Sequence, residues 1–100
     1  MNDMPIIHWA EAKNGFILDV REPFELAVEN IPDAVNIPLG QLRARLDELP
    51  KDREINVFCR SGQRSYYATR ILLQNGFNVK NITGGMISFA HNYLFETNRD

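Results

Sequence analysis

The 100-residue sequence is short of several things: it has one cysteine, two histidines and no carboxylate side chain between residues 55 and 95. A single cysteine excludes an internal disulfide, a Cys-rich zinc site and a resolving thiol within the chain. The histidines, His8 and His91, have no ligand-spaced partners, so neither a metal nor another cofactor is expected. No stretch approaches the roughly 20 apolar residues that span a bilayer. The amino terminus lacks the basic-then-apolar pattern of a secretion signal. These shortages point to a soluble, cytoplasmic protein with no membrane partner. With 44% apolar and 24% charged residues, the chain has the means to bury a core, and its length suits one domain over residues 1–100.

The missing acids matter as much as the missing cysteines. Residues 55–95 hold Arg60, Arg64, Arg70 and Lys80, a charge of +4. The rest of the chain sets seven bases against 13 acids, a charge of −6, which leaves the net −2. Four scattered bases are too few for a nucleic-acid footprint and suit a small anion site. The lone cysteine, Cys59, lies inside this stretch.

Periodicity divides the chain into short alternating elements. Ile6 to Lys13 is predicted as a helix closed by Asn14-Gly15. Residues 16–20 read as a strand, and Glu22-Pro23 opens a helix through Val28. Ala34 to Ile37 is a second strand after a turn at Ile31-Pro32-Asp33. Leu39, Leu42, Leu46 and Leu49 form a helical core stripe that Pro50 ends. Residues 55–59 are β-branched and aromatic, a composition that predicts a buried, central strand. A helix is predicted over Ser65 to Asn75, a strand over Phe77 to Ile82, and a closing helix over Met86 to Leu94, broken from the strand by Gly84-Gly85. The alternation implies an α/β fold with a mostly parallel central sheet flanked by helices on both faces.

The segment Cys59-Arg60-Ser61-Gly62-Gln63-Arg64-Ser65 stands between a buried strand and a helix. Ligands of open α/β sheets bind beyond the carboxyl ends of strands. A tight loop before a helix offers unpaired amides and the positive end of the helix dipole. A thiolate there has its pKa lowered from about 8.5 into the range of about 3.5–7.5. Gly62 permits the curl, and Ser61 and Ser65 can donate to an anion or cap the helix. Two arginines beside a helix amino terminus oppose its dipole, which makes sense when an anion occupies the loop. A lone free cysteine is more often an inert core thiol, and the loop and its arginines reverse that default.

This loop resembles the active-site loop of the rhodanese sulfurtransferase family. Residues 18–25 (Leu-Asp-Val-Arg-Glu-Pro-Phe-Glu) resemble the family's first motif, residues 31–39 (Ile-Pro-Asp-Ala-Val-Asn-Ile-Pro-Leu) its second, and residues 82–86 (Ile-Thr-Gly-Gly-Met) its closing one. The resemblance runs over about residues 6–94 and is similar to single-domain rhodaneses and to the rhodanese domain appended to coenzyme A-disulfide and polysulfide reductases. Two positions depart: Glu29-Asn30 replaces a Gly-His before the second motif, and Phe89 is expected in the space of a tryptophan after the double glycine.

The resemblance implies a rhodanese-like fold and transfer of sulfane sulfur, with Cys59 as nucleophile and a Cys59 persulfide as intermediate. It implies a small anionic donor, such as thiosulfate, a polysulfide or a persulfide, recognised by Arg60, Ser61, Gly62, Gln63, Arg64 and Ser65. An external thiol or cyanide would accept the sulfur, and a redox or sulfur-relay protein is an open alternative as partner. Asp19 and Arg21 are expected to support the loop structurally. Trp9, Tyr66, Tyr67 and Phe89 are expected to pack, with Tyr66 near the pocket mouth, and Arg70 to face solvent. A non-catalytic or sulfur-carrier module of a larger reductase system is one rival reading. Phosphatase or arsenate reductase chemistry is another, although cysteine phosphatases place five residues between Cys and Arg where this chain places four.

Overall fold

The computed structural model of the protein describes residues 4–89. Five strands form one sheet: β1 (Ile6–Ile7), β2 (Phe16–Asp19), β3 (Val35–Asn36), β4 (Ile55–Phe58) and β5 (Val79–Ile82). They lie in the order β1-β5-β4-β2-β3, and every neighbouring pair is parallel. Helices α1 (Trp9–Ala12), α2 (Pro23–Leu26), α3 (Gln63–Gln74) and α4 (Gly85–Phe89) and a 3₁₀ segment, Leu39–Glu48, connect them. Among the described residues no helix is long and apolar enough to cross a membrane.

Strand β4 is buried at all four positions and is the centre of the sheet, as its Ile-Asn-Val-Phe composition predicts. Side-chain alternation along it builds two cores. Ile55, Val57 and Cys59 pack with Leu42, Leu49, Ala68 and Leu72, on the face covered by α3 and the 3₁₀ segment. Phe58 packs with Trp9, Ala12 and Met86, on the face covered by α1 and α4. From β2 the chain steps outward to β3, then returns across β2 to β4 and continues the other way to β5. The carboxyl ends of β2 and β4 therefore flank the point where the winding reverses, the place where such sheets hold ligands. Cys59 follows β4 directly at this point.

Several element predictions are corrected. Ile6 and Ile7 are strand, not helix: they pair with Asn81 and Ile82, and Asn81 and Thr83 donate to the carbonyls of Pro5 and Ile7. Two β-branched residues beside a free sheet edge pair with it more readily than they nucleate a helix. The leucine stripe is a 3₁₀ segment kinked at Arg45 (φ −124°, ψ 23°). Its leucines are three apart within each half, matching three residues per turn, and the kink absorbs the step of four. Helix α3 begins at Gln63 rather than Ser65, and β5 at Val79 rather than Phe77. Helix α4 starts at Gly85, one residue early. The predicted remainder of the closing helix, 90–94, with His91, lies outside the described residues.

Candidate active site

The loop leaving β4 curls so that its amides converge on one atom. Gly62 N–H donates to Cys59 Sγ at 3.1 Å and Ser65 N–H at 3.4 Å. The Ser65 hydroxyl lies 3.6 Å from the same sulfur. The curl depends on Gly62, whose φ of 109° few side chains tolerate and which is the N-cap of α3. Ser65, read from the sequence as a potential cap, sits instead within the first turn of α3 and is fully buried.

Cys59 is 1% exposed. Burial pushes its thiol up, but the Ser65 hydroxyl and the amides of Ser65, Gly62 and Ser61 outweigh burial and hold the thiol below its ordinary value. An inert core cysteine lacks such donors. The structure thus gathers Ser61, Gly62 and Ser65 around the sulfur, while Gln63 is exposed on the outer side of α3's first turn.

The loop's carbonyls are turned the other way. The carbonyls of Cys59 and Arg60 accept from Met86 N–H (2.9 Å) and Ile87 N–H (3.1 Å) at the start of α4. This explains the double glycine, which the sequence marks both as a strand breaker and as part of the closing motif. A Cβ on Gly85 would press on the Cys59 carbonyl oxygen and stand 2.7 Å from that of Arg60, and its φ is +55°. Only glycine lets α4 approach closely enough to take up the loop's acceptors. Trp9 Nε1 donates to the Gly85 carbonyl at 2.8 Å, and Trp9 packs on Phe58 and Phe89, so α1 steadies α4.

The two loop arginines are not equivalent. The side chain of Arg60, an exposed residue, forms no hydrogen bond or ion pair among the described residues. Arg64 makes a two-pronged pair with Glu25 of α2, at 2.6 and 2.9 Å. Arg64's hydrogen bonds hold Glu25's carboxyl at about 2, against desolvation, and the Glu22 amide it accepts from and the charge of Arg21 act in the same direction as Arg64. Arg64 is raised in turn, chiefly by Glu25 and in smaller part by the charge on Cys59. Glu25 was not among the candidate residues. The signal for it was its place at the end of the first motif, three residues after Glu22, where a carboxylate can bond back to an N-cap amide.

At the end of β2, Asp19 and Arg21 form a second pair, with Arg21 Nη2 donating to Asp19 Oδ2 at 2.8 Å and Arg21 N–H and Nε to Oδ1 at 2.9 and 3.0 Å, and the Arg21 guanidinium lies 5.4 Å from the centre of the Phe58 ring. Both side chains are at most 3% exposed. Arg21 also donates to the Glu29 carbonyl, and Asn36 Nδ2 to the carbonyls of Asp19 and Arg21. Since Glu29 takes part through its main chain, the Glu29-Asn30 departure leaves this bracing intact. Tyr66 and Tyr67 stack edge to face on the exposed side of α3, and Arg70, also exposed, contacts Tyr66. Among the described residues no cluster of three or more His, Cys, Asp or Glu side chains could hold a metal.

A polarised sulfur ringed by donors, with acceptors turned away, is equipped to act as an anionic nucleophile and to stabilise an anion covalently attached to it. The comparisons with known proteins agree on the family. The rhodanese-like domain model matches residues 6–92. A sulfurtransferase of Allochromatium vinosum is 41% identical over 86 residues, covering 85% of this chain and 80% of its own. The crystal structure of reduced CoADR-RHD from Bacillus anthracis superposes with a TM-score of 0.82 at 39% identity, covering 87% of this chain, which spans 16% of that larger one. A NAD-dependent persulfide reductase from A. fulgidus matches with a TM-score of 0.75 at 43% identity, over 86% of this chain and again 16% of the other. With its four motifs in order, its parallel sheet and its thiol loop, the chain belongs to the rhodanese-like domain family.

Proposed function

We propose that the protein is a sulfurtransferase that carries sulfane sulfur on Cys59. The Cys59 thiolate attacks the outer sulfur of thiosulfate, a polysulfide or a persulfide. With thiosulfate, the new bond joins Sγ to that sulfur, the S–S bond of the donor breaks, and its electron pair departs with sulfite. The product is an anionic Cys59 persulfide. An acceptor such as cyanide or a thiolate then attacks the outer sulfur, and the pair of the Cys59–sulfur bond returns to Sγ. No general base is required, because the thiol is already held low by its donors. Arg60, with no carboxylate partner among the described residues, recognises the anionic donor. Arg64 orients the loop through Glu25 and adds its field at the sulfur, and Asp19 and Arg21 brace the end of β2. With one cysteine in the chain, discharge needs an external acceptor.

The observation that carries this reading is the convergence of the Gly62 and Ser65 donors on Cys59 Sγ. A cysteine 1% exposed at the head of a loop with four intervening residues admits a terminal sulfur atom more readily than a tetrahedral phosphate, which sets sulfur transfer ahead of phosphatase chemistry. Initial-rate measurements with thiosulfate and cyanide test it: the proposal predicts parallel double-reciprocal lines and no turnover by Cys59→Ser, with no hydrolysis of an aryl phosphate. Aryl-phosphate hydrolysis without sulfur transfer would overturn it. A carrier role beside a reductase is the second reading, favoured by the likeness to domains that are a sixth of larger proteins. Under that reading persulfide forms on Cys59, but small acceptors discharge it slowly.

A further inference from the structure

Trp9, the only tryptophan of the sequence, is 3% exposed and belongs to the core on the sheet face opposite Cys59. It reaches the reactive loop by two routes. Its ring packs on Phe58, the residue before Cys59, with 5.2 Å between centroids. Its indole N–H donates to the Gly85 carbonyl at 2.8 Å, a bond between residues 76 apart in the sequence. Gly84 and Gly85 lead into α4 with positive φ (77° and 55°) and no side chains, so this turn has little of its own to hold it. The indole anchors it from outside.

The Gly85 carbonyl and the Met86 amide are the two ends of one planar peptide. Trp9 holds that peptide at its oxygen, and its N–H donates to the Cys59 carbonyl at 2.9 Å. The next amide of α4, from Ile87, donates to the Arg60 carbonyl at 3.1 Å. Each of these loop carbonyls shares a peptide with the following amide, Cys59 with Arg60 and Arg60 with Ser61. In a trans peptide the carbonyl and the amide point opposite ways, and none of the described peptides is cis. Fixing the two carbonyls on α4 therefore turns the Arg60 and Ser61 amides away from it. The Ser61 amide is one of the donors that, with the Ser65 hydroxyl and the amides of Ser65 and Gly62, hold the Cys59 thiol down against burial, which pushes it up. Hydrogen bonds in series also strengthen one another, by about 10–30% per bond.

We propose that Trp9 is a positioning residue of the sulfur site: it pins the Gly85–Met86 peptide, so that α4 holds the Cys59 and Arg60 carbonyls and the loop's amides stay aimed at the Cys59 sulfur. The proposal deepens the sulfur-transfer reading and rests on it for the effect on turnover. Trp9 acts through two peptides rather than on the sulfur itself. Without the indole N–H the Gly85–Met86 peptide is free to tilt, the loop carbonyls follow it, and the amide donors lose alignment. Fewer aligned donors stabilise the thiolate less, so a larger share of Cys59 is thiol at a given pH. The charged groups around the thiol are untouched by that change: Arg64, which feels the charge on Cys59, its partner Glu25, and Arg60 on the loop.

Because the chain has one tryptophan, growth of a tryptophan-requiring host on an analogue replaces Trp9 alone. Benzothienylalanine keeps the shape of the ring and puts sulfur where the N–H stood, whereas fluorotryptophan keeps the N–H. Alkylation of Cys59 by iodoacetamide is followed against pH, below the melting temperature of each protein and with no sulfur donor present. The benzothienylalanine protein should react about threefold or more slowly on the acidic limb, as expected for the loss of one aligned hydrogen bond, and recover the native rate at alkaline pH. Its limb moves upward, and fluorotryptophan leaves the limb in place. Trp9→Phe, which drops the N–H and part of the packing, moves it the same way. An unmoved limb with benzothienylalanine, a deficit of the same size at every pH, or an equal shift with fluorotryptophan overturns the proposal. With thiosulfate, persulfide formation on the acidic limb should slow by the same factor. If the native protein forms no persulfide at all, sulfur transfer fails instead, and the alkylation limb still decides the role of Trp9.

Discussion

Two ion pairs near the carboxyl ends of β2 and β4 differ in kind. Asp19–Arg21 lies at the end of β2, at most 3% exposed, threaded into main-chain carbonyls at Glu29, Asp19 and Arg21 by its own and Asn36's hydrogen bonds. Glu25–Arg64 lies at the rim, with side chains 19% and 34% exposed, and its arginine belongs to the loop itself. The buried pair is sealed from solvent, so losing one partner strands a buried charge. The rim pair is half wet, so its loss costs little stability and acts on where the loop points. On the proposed reading, one pair supports the fold and the other aims the site.

Breaking the buried pair should give the largest effect. Asp19→Asn leaves Arg21 buried without its counter-charge, and chemical denaturation should show a loss of about 3–5 kcal/mol. Gly85→Ala attacks the loop from the α4 side, where the added Cβ meets the Cys59 and Arg60 carbonyls. A left-handed backbone alone costs an alanine about 1–2 kcal/mol, and displaced carbonyls should also lower turnover more than ten times as the sulfur loses its aligned donors. Equal, small losses in both variants would remove the distinction between supporting and aiming.

Glu25→Gln should cost less stability than Asp19→Asn, because its pair is partly screened by solvent, while lowering turnover with thiosulfate, because Arg64 is released from its fixed position. Acid titration sharpens this. Glu25 is held at about 2 against an ordinary 4.5, so its contribution to stability is complete above about pH 4.5 and is lost as pH falls towards 2. The glutamine variant should lack that part of the acid-side loss, measured as melting temperature against pH. The smallest and most local effect is expected from Ser65→Ala. Cys59 alkylation falls as pH drops through the thiol's pKa, and removing the hydroxyl should move that acidic limb upward with little change in stability. An unmoved limb would assign the lowering to the amides alone.

Much of the fold was legible in the sequence because its signals are local. The Ile-Asn-Val-Phe run of β4, Gly62 before α3 and the four ordered motifs each carry their own physical cue. The start was misread because Ile6-Ile7 finds its partner in β5, some 75 residues away, and no local pattern announces a sheet edge. The leucine stripe was recognised as core, but spacings of 3, 4 and 3 do not separate an α-helix from kinked 3₁₀ turns. In the site, Cys59 and its amide donors follow from loop position alone. The pairing of Arg64 with Glu25 does not, since charge counts treat both loop arginines as equally free. The role of Gly85 was hidden for the same reason: a close approach between α4 and the loop exists only in three dimensions.

The central claim is that Cys59 is a polarised sulfur carrier rather than an inert core thiol. Incubation with thiosulfate or polysulfide followed by intact mass measurement tests it most directly. The prediction is one added sulfur atom on the wild-type protein and none on Cys59→Ser. An unchanged wild-type mass with every donor, or the same gain on Cys59→Ser, would contradict it.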